Sequence, residues 1–227
     1  MNTKQEKRRT GYGRKLQGRT NMSCVITVTR QFGSLGRPIA RILAEKLNLP
    51  FYDRDIVEQT AAEMGLPISY VSQNEESIGG VYWKMKFPLG TSSRKKQDEL
   101  YEVQSELIRS IASRGSCVIV GRCADYVLRD FKNTFHVSVF APFEDRIRNC
   151  TERLGMDPET AMKMVVEVDR ARERYHERYG KDGRNPLACK HLLVNSSYFG
   201  AEESAEMIAE CVRRRHCLQD DSGSGPH

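Results

Sequence analysis

Within about 25 residues a short apolar run gives way to a glycine turn and then to a helical pattern. Cys24-Val25-Ile26-Thr27-Val28-Thr29 is apolar and β-branched, the pattern of a strand buried on both faces. Gln31 to Gly36 forms a glycine-containing turn, and Pro38 suits the first turn of a helix. Ile39, Ile42, Leu43 and Leu47 then recur on one helical face as far as Asn48. A buried strand that passes through a glycine loop straight into a helix is the opening of an α/β unit.

The rest of the chain repeats that alternation. Phe51-Tyr52 reads as a short strand before an acidic and apolar helix from Asp55 to Met64. Further strands are expected at Cys117–Val120, Thr134–Phe140 and His191–Val194. Helices are expected over Asp98–Ser113, Pro142–Leu154, Pro158–Tyr179 and Glu202–His216. Strands separated by helices imply an α/β fold with a parallel sheet flanked by helices on both faces. Residues 67–96, with Trp83 and the basic run Arg94-Lys95-Lys96, read as a substrate-covering insert or a mobile loop.

The net charge of +6 is confined to one place. Residues 1–20 carry seven basic groups and one acidic group, and the remainder carries 29 of each sign. Residues 1–22 are therefore expected to be a disordered basic arm, residues 23–217 a neutral domain and residues 218–227 a disordered tail. A neutral domain argues against nucleic acid as the partner. No stretch approaches the roughly 20 apolar residues of a membrane span, and no apolar region follows the basic head, so a cytoplasmic location is expected. The seven cysteines include no C-x-x-C pair, which argues against a zinc site and a secreted disulfide framework.

Four segments carry chemistry. Arg30-Gln31-Phe32-Gly33-Ser34-Leu35-Gly36-Arg37 lets backbone N–H groups turn toward an anion at a helix start, with Arg37 where a P-loop lysine reaches terminal phosphates. Gly33, Ser34, Leu35, Gly36 and Arg37 are the candidate phosphate-binding residues; the bland reading is an ordinary turn with a surface arginine. Arg122 and Asp125, in Gly121-Arg122-Cys123-Ala124-Asp125-Tyr126 at the carboxyl end of a strand, can grip a phosphate and a base or ribose, or form a structural salt bridge. The helix segment Asp169-Arg170-Ala171-Arg172-Glu173-Arg174-Tyr175 can bring arginines to a moving phosphoryl group, or be a solvated charged face. Arg178, Lys181 and Arg184 extend its basic character, so residues 170–186 read as a lid. Asp53 and Asp55 can meet a nucleoside or a metal, or cap a helix.

Together these segments resemble the cytidylate kinase-like family. The matching pieces are Ile26 to Arg37, Phe51-Tyr52-Asp53, Val118 to Leu128 with its Val-Ile-Val-Gly-Arg-Cys-Ala-Asp string, Asp169 to Tyr179, and Leu192 to Ser197. They occur in the family's order. The resemblance implies a P-loop, nucleoside monophosphate kinase-like fold with an insert and an arginine-bearing lid. It implies ATP as phosphoryl donor, Mg²⁺ as partner ion and a nucleoside monophosphate such as CMP or dCMP, or a related small molecule, as acceptor. By position, Arg37 takes the place of the P-loop lysine, Arg122 matches an arginine near the acceptor, and Arg172 with Arg170 or Arg174 supplies the lid. The sequence departs from authentic cytidylate kinases: the residue after Arg37 is Pro38 rather than Ser or Thr, Arg54-Asp55 follow Tyr52-Asp53, and Cys123 stands for an acidic residue. A catalytically inactive nucleotide-binding regulatory module is the alternative reading.

Overall fold

The computed structural model describes residues 24–53, 94–180 and 187–216. The basic arm, the expected helix from Asp55 to Met64 with Asp55 itself, the insert up to residue 93, Lys181, Arg184 and the tail lie outside the described residues.

Five parallel strands form one sheet: β1 (Val25–Arg30), β2 (Phe51–Tyr52), β3 (Cys117–Val120), β4 (Thr134–Phe140) and β5 (Leu192–Asn195), in the spatial order β2-β3-β1-β4-β5. The helices are α1 (Gly36–Lys46), α2 (Arg94–Arg114), α3 (Ala124–Val127), α4 (Phe143–Leu154), α5 (Pro158–Tyr179) and α6 (Ser196–His216). The chain runs to one side of β1 through β2 and β3 and then to the other through β4 and β5. Such a reversal opens a crevice at the carboxyl end of the central strand. The loop after β1 lies at that point.

Strand alternation assigns each face its cover. Ile26 and Val28 of β1, Val118 and Val120 of β3, and Val137 and Val139 of β4 point to one side, where Ile39 and Leu43 of α1 and Ile208 and Val212 of α6 close the core. Val25, Cys117 and Ile119 point to the other, against Leu107, Ile108 and Ile111 of α2 and Leu128. A smaller cluster joins α4 to α5 around Phe32 of the loop.

The strands fall where the sequence pattern places them, within a residue or two at their ends. Two helices differ. The helix α2 begins at Arg94, four residues before the expected Asp98, and so takes in the basic run assigned to the insert. The last described element starts at Ser196, with Gly200 at φ 77° breaking it, so its regular part begins close to the expected Glu202. The short α3 has too few apolar positions for periodicity to reveal it. No described helix is long and apolar enough to cross a membrane.

Candidate phosphate-binding site

The loop between β1 and α1 has its carbonyls fully engaged. Arg172 donates to Arg30 O at 2.9 Å, Ser34 Oγ to Gln31 O at 2.9 Å, Arg146 to Phe32 O at 3.4 Å and Asn149 to Gly33 O at 2.9 Å. Ser196 Oγ donates to Ser34 O at 2.7 Å, and the Ile39 N–H to Leu35 O at 3.0 Å. The N–H of Gln31 goes to Val139 O and that of Phe32 to Asp169 Oδ1 at 2.7 Å. Among the described residues, the N–H groups of Gly33, Leu35 and Gly36 donate to no protein acceptor. With carbonyls tied back and amides left over at a helix start, the loop presents positive potential to an anion.

Backbone geometry makes this shape obligatory. Gly33 has φ +78°, and a Cβ there would lie 2.6 Å from Arg146 O; a Cβ on Gly36 would lie 2.4 Å from Arg30 Cβ. Leu35 takes a left-handed conformation at φ 59°, which costs a non-glycine residue about 1 kcal/mol. A second strained stretch follows β3: Gly121 (φ 78°), Arg122 (φ 59°) and Cys123 (φ 52°) are all left-handed. Such runs persist only where the surroundings hold them, and they cluster at ligand sites.

Four arginines converge on the carboxyl end of β1. Arg30 is its last residue, and its guanidinium lies on the backbone of Gly121, where an added Cβ would be 2.1 Å from Nη1. Burial lowers its pKa well below the usual arginine value; the like charges of Arg172, Arg122 and Arg37 lower it further and Asp53 opposes them. Arg172 is lowered to about 10, chiefly by burial, with Asp169 opposing. Its guanidinium sits 5.9 Å from the centre of the Phe32 ring. Arg122 is buried, and Arg37 is half-exposed and ion-paired with the buried Asp53.

The residues singled out in the sequence therefore part company. Gly33, Leu35, Gly36, Arg37, Asp53, Arg122 and Arg172 come together. The Ser34 hydroxyl is buried and turned onto the Gln31 and Val139 carbonyls, so it shapes the loop from inside. Arg170 and Arg174 are exposed, because residues two apart on a helix point some 200° apart and cannot share the face that Arg172 uses. Asp125 is buried in an ion pair with the equally buried Lys190. Burial raises its pKa, and Lys190 with His176 and His136 outweighs that, leaving the carboxyl below its ordinary range. Of the two weighed readings of Asp125, the geometry matches the structural salt bridge.

Sequence reasoning passed over Arg146 and Asn149 and gave no role to Arg30 or Asp169, although both lie in segments it singled out. Arg30 had a signal: a charge in the last position of an otherwise apolar central strand. Arg146 and Asn149 lie three apart on an amphipathic helix and look like a solvated face. The described cysteines are free, and burial pushes the Cys24 and Cys117 thiols up to about 12, so neither is a nucleophile at neutral pH.

A parallel sheet whose central strand feeds a carbonyl-locked glycine loop, capped by arginines from other elements, is a P-loop kinase-like α/β fold. The sequence model of the cytidylate kinase-like family matches residues 25–198, and the chain belongs to that family. A cytidylate kinase of Aeropyrum pernix is 28% identical over 184 residues, covering 81% of this chain and 95% of the relative. A cytidylate kinase of Methanocaldococcus jannaschii is 24% identical over 192 residues, covering 83% and 97%. A crystal structure of an uncharacterized protein from Eubacterium ventriosum superimposes with a TM-score of 0.65 at 23% identity, covering 85% of this chain and 99% of that one, a likeness of fold.

Proposed function

We propose that the protein is a nucleotide kinase that transfers the terminal phosphate of ATP to a nucleoside monophosphate, with CMP or dCMP as the first acceptors to try. The carrying observation is the loop itself: every carbonyl from Arg30 to Leu35 is engaged, three amides are left over, and four arginines surround them. The names of the two relatives point the same way.

In this reading the amides of Gly33, Leu35 and Gly36 hold the donor phosphates, with Arg37 beside them. Arg172, at the loop's rim, offsets charge on the group in transit, and Arg122 holds the acceptor phosphate. Phosphoryl transfer needs positioning and electrostatic stabilisation rather than a nucleophilic side chain, which suits a site rich in arginine and glycine. Removing an arginine of this kind costs about 10³–10⁵ in rate. Mg²⁺, when bound, neutralises phosphate charge. Pro38 cannot ligate it, so the phosphates and the neighbouring Asp53 carboxylate are the groups that would hold it. The protein would act in the cytoplasm, where its nucleotides are.

A coupled assay with ATP, Mg²⁺ and a panel of nucleoside monophosphates tests the proposal, with ADP release dependent on one acceptor expected. One observation favours a second reading, a nucleotide-binding regulator without turnover: Arg37 is held by Asp53 and no hydroxyl follows it. Nucleotide binding by calorimetry with no ADP release across the panel would favour that reading.

A further inference from the structure

We infer that the buried carboxamide of Gln104 reads the hydrogen-bonding edge of a planar heterocycle, the base of the acceptor, where α2 meets the β3–α3 turn. This rests on the nucleotide reading of the site and specifies what the site selects.

Gln104 is 3% exposed, yet neither Oε1 nor Nε2 has a hydrogen-bond partner among the described residues. Buried side-chain amides are normally satisfied, so an orphaned donor and acceptor on one group call for a ligand. The surroundings place that ligand. Tyr101, one turn earlier on the same face of α2, packs against Cys123, Tyr175 and Tyr179. Cys123 directly follows Arg122. Tyr52, directly before Asp53, packs with Tyr101 on the cluster formed by Leu107, Ile108 and Ile119. Gln104 lies between Tyr101 and Ile108 on that face. Tyr101, one turn away on that face, thus packs against both elements that deliver Asp53 and Arg122 to the site.

The chemistry fits a base. A carboxamide offers an acceptor oxygen beside a donor nitrogen in one plane. Nucleobases carry a neighbouring donor and acceptor on the Watson–Crick edge, as cytosine does at N4 and N3. A bare sugar phosphate has no such edge and would leave Gln104 unsatisfied. Tyr101 and Tyr179, stacked with centroids 4.0 Å apart, wall the same corner with aromatic surface.

The test is calorimetry of the full chain with the tightest binder among CMP, UMP, AMP and GMP, and with ribose 5-phosphate. The parent should prefer the nucleotide by at least about tenfold, and Gln104→Leu or the near-isosteric Gln104→Met should lose about tenfold for the nucleotide while ribose 5-phosphate is unchanged. Both variants should melt at or above the parent temperature, since they remove an unsatisfied buried group. Retained base preference in both variants overturns the inference. So does a parent that fails to distinguish the two ligands or binds neither, or a fall in melting temperature with both ligands weakened alike. The expected binding pattern without any ADP release would overturn the kinase reading and leave the role of Gln104 standing.

Discussion

Asp169 of α5 accepts a hydrogen bond at 2.7 Å from the backbone N–H of Phe32, 137 residues away in the chain. The same carboxylate pairs with Arg146, which is buried. One side chain thus joins α5, α4 and the loop. Asp169→Ala removes the acceptor and strands a buried guanidinium. The expected cost is about 3 kcal/mol, a fall in melting temperature on the order of 10 °C. Calorimetric melting checks this, and an unchanged midpoint would refute the contact's importance.

The two glycines that touch Arg30 should respond differently to alanine. In Gly36→Ala the new methyl meets Arg30 Cβ, which is tied to the strand backbone and cannot yield. In Gly121→Ala it meets a guanidinium nitrogen at the end of a flexible chain, although φ +78° adds about 1 kcal/mol of strain. Gly36→Ala is expected to be the more destabilising, while both lower turnover. Paired melting curves and acceptor-dependent ADP release decide it.

Arg37 and Arg30 offer a contrast of another kind. Arg37→Ala should cut turnover by orders of magnitude and change stability by about 1 kcal/mol, because that side chain is 53% exposed. Arg30→Met should also lose turnover, yet melt at or near the parent temperature, since it removes a half-buried cation from among like charges. Equal activity of either variant and the parent would remove that arginine from the site.

His136 supplies a pH prediction. It is buried on β4, 2.7 Å from Thr27 Oγ1 and 3.2 Å from Thr134 Oγ1, and burial with His191 nearby lowers it from 6.5 to about 4. Between those values the unfolded chain holds the extra proton, so stability rises with pH there and is lost as pH falls from about 6.5 toward 4. The full contribution is on the order of 3 kcal/mol. Denaturant unfolding at pH 4.5 and 7.5 measures it, and His136→Gln should shrink the difference, the part that His176 and His191, also lowered by burial, contribute being left.

How much of this was legible in the sequence follows from the range of the interactions. Val25 to Val28 and Cys117 to Val120 declare themselves because a strand covered on both faces must be apolar throughout, and this is a local property. Gly33 and Gly36 are legible because close backbone approach demands them. Arg122 stood out at a strand's carboxyl end. The side chains that hold the loop's carbonyls were not visible, because Asn149 and Ser196 reach Gly33 and Ser34 across 116 and 162 residues. Nothing in the spacing around Asn149 separates it from a solvated helix face. Arg172 was named, but only the fold separates it from Arg170 and Arg174.

The contact from Ser196 to the Ser34 carbonyl has a consequence for biosynthesis. A ribosome makes the glycine turn first and the residue that fixes the Ser34 carbonyl 162 residues later. A nascent protein arrested before β5 would have the partners of the other loop carbonyls but none for the Ser34 carbonyl, whose peptide plane carries the Leu35 amide. The Leu35 amide is therefore oriented only once the chain has passed β5, and a shorter nascent chain should grip nucleotide more weakly.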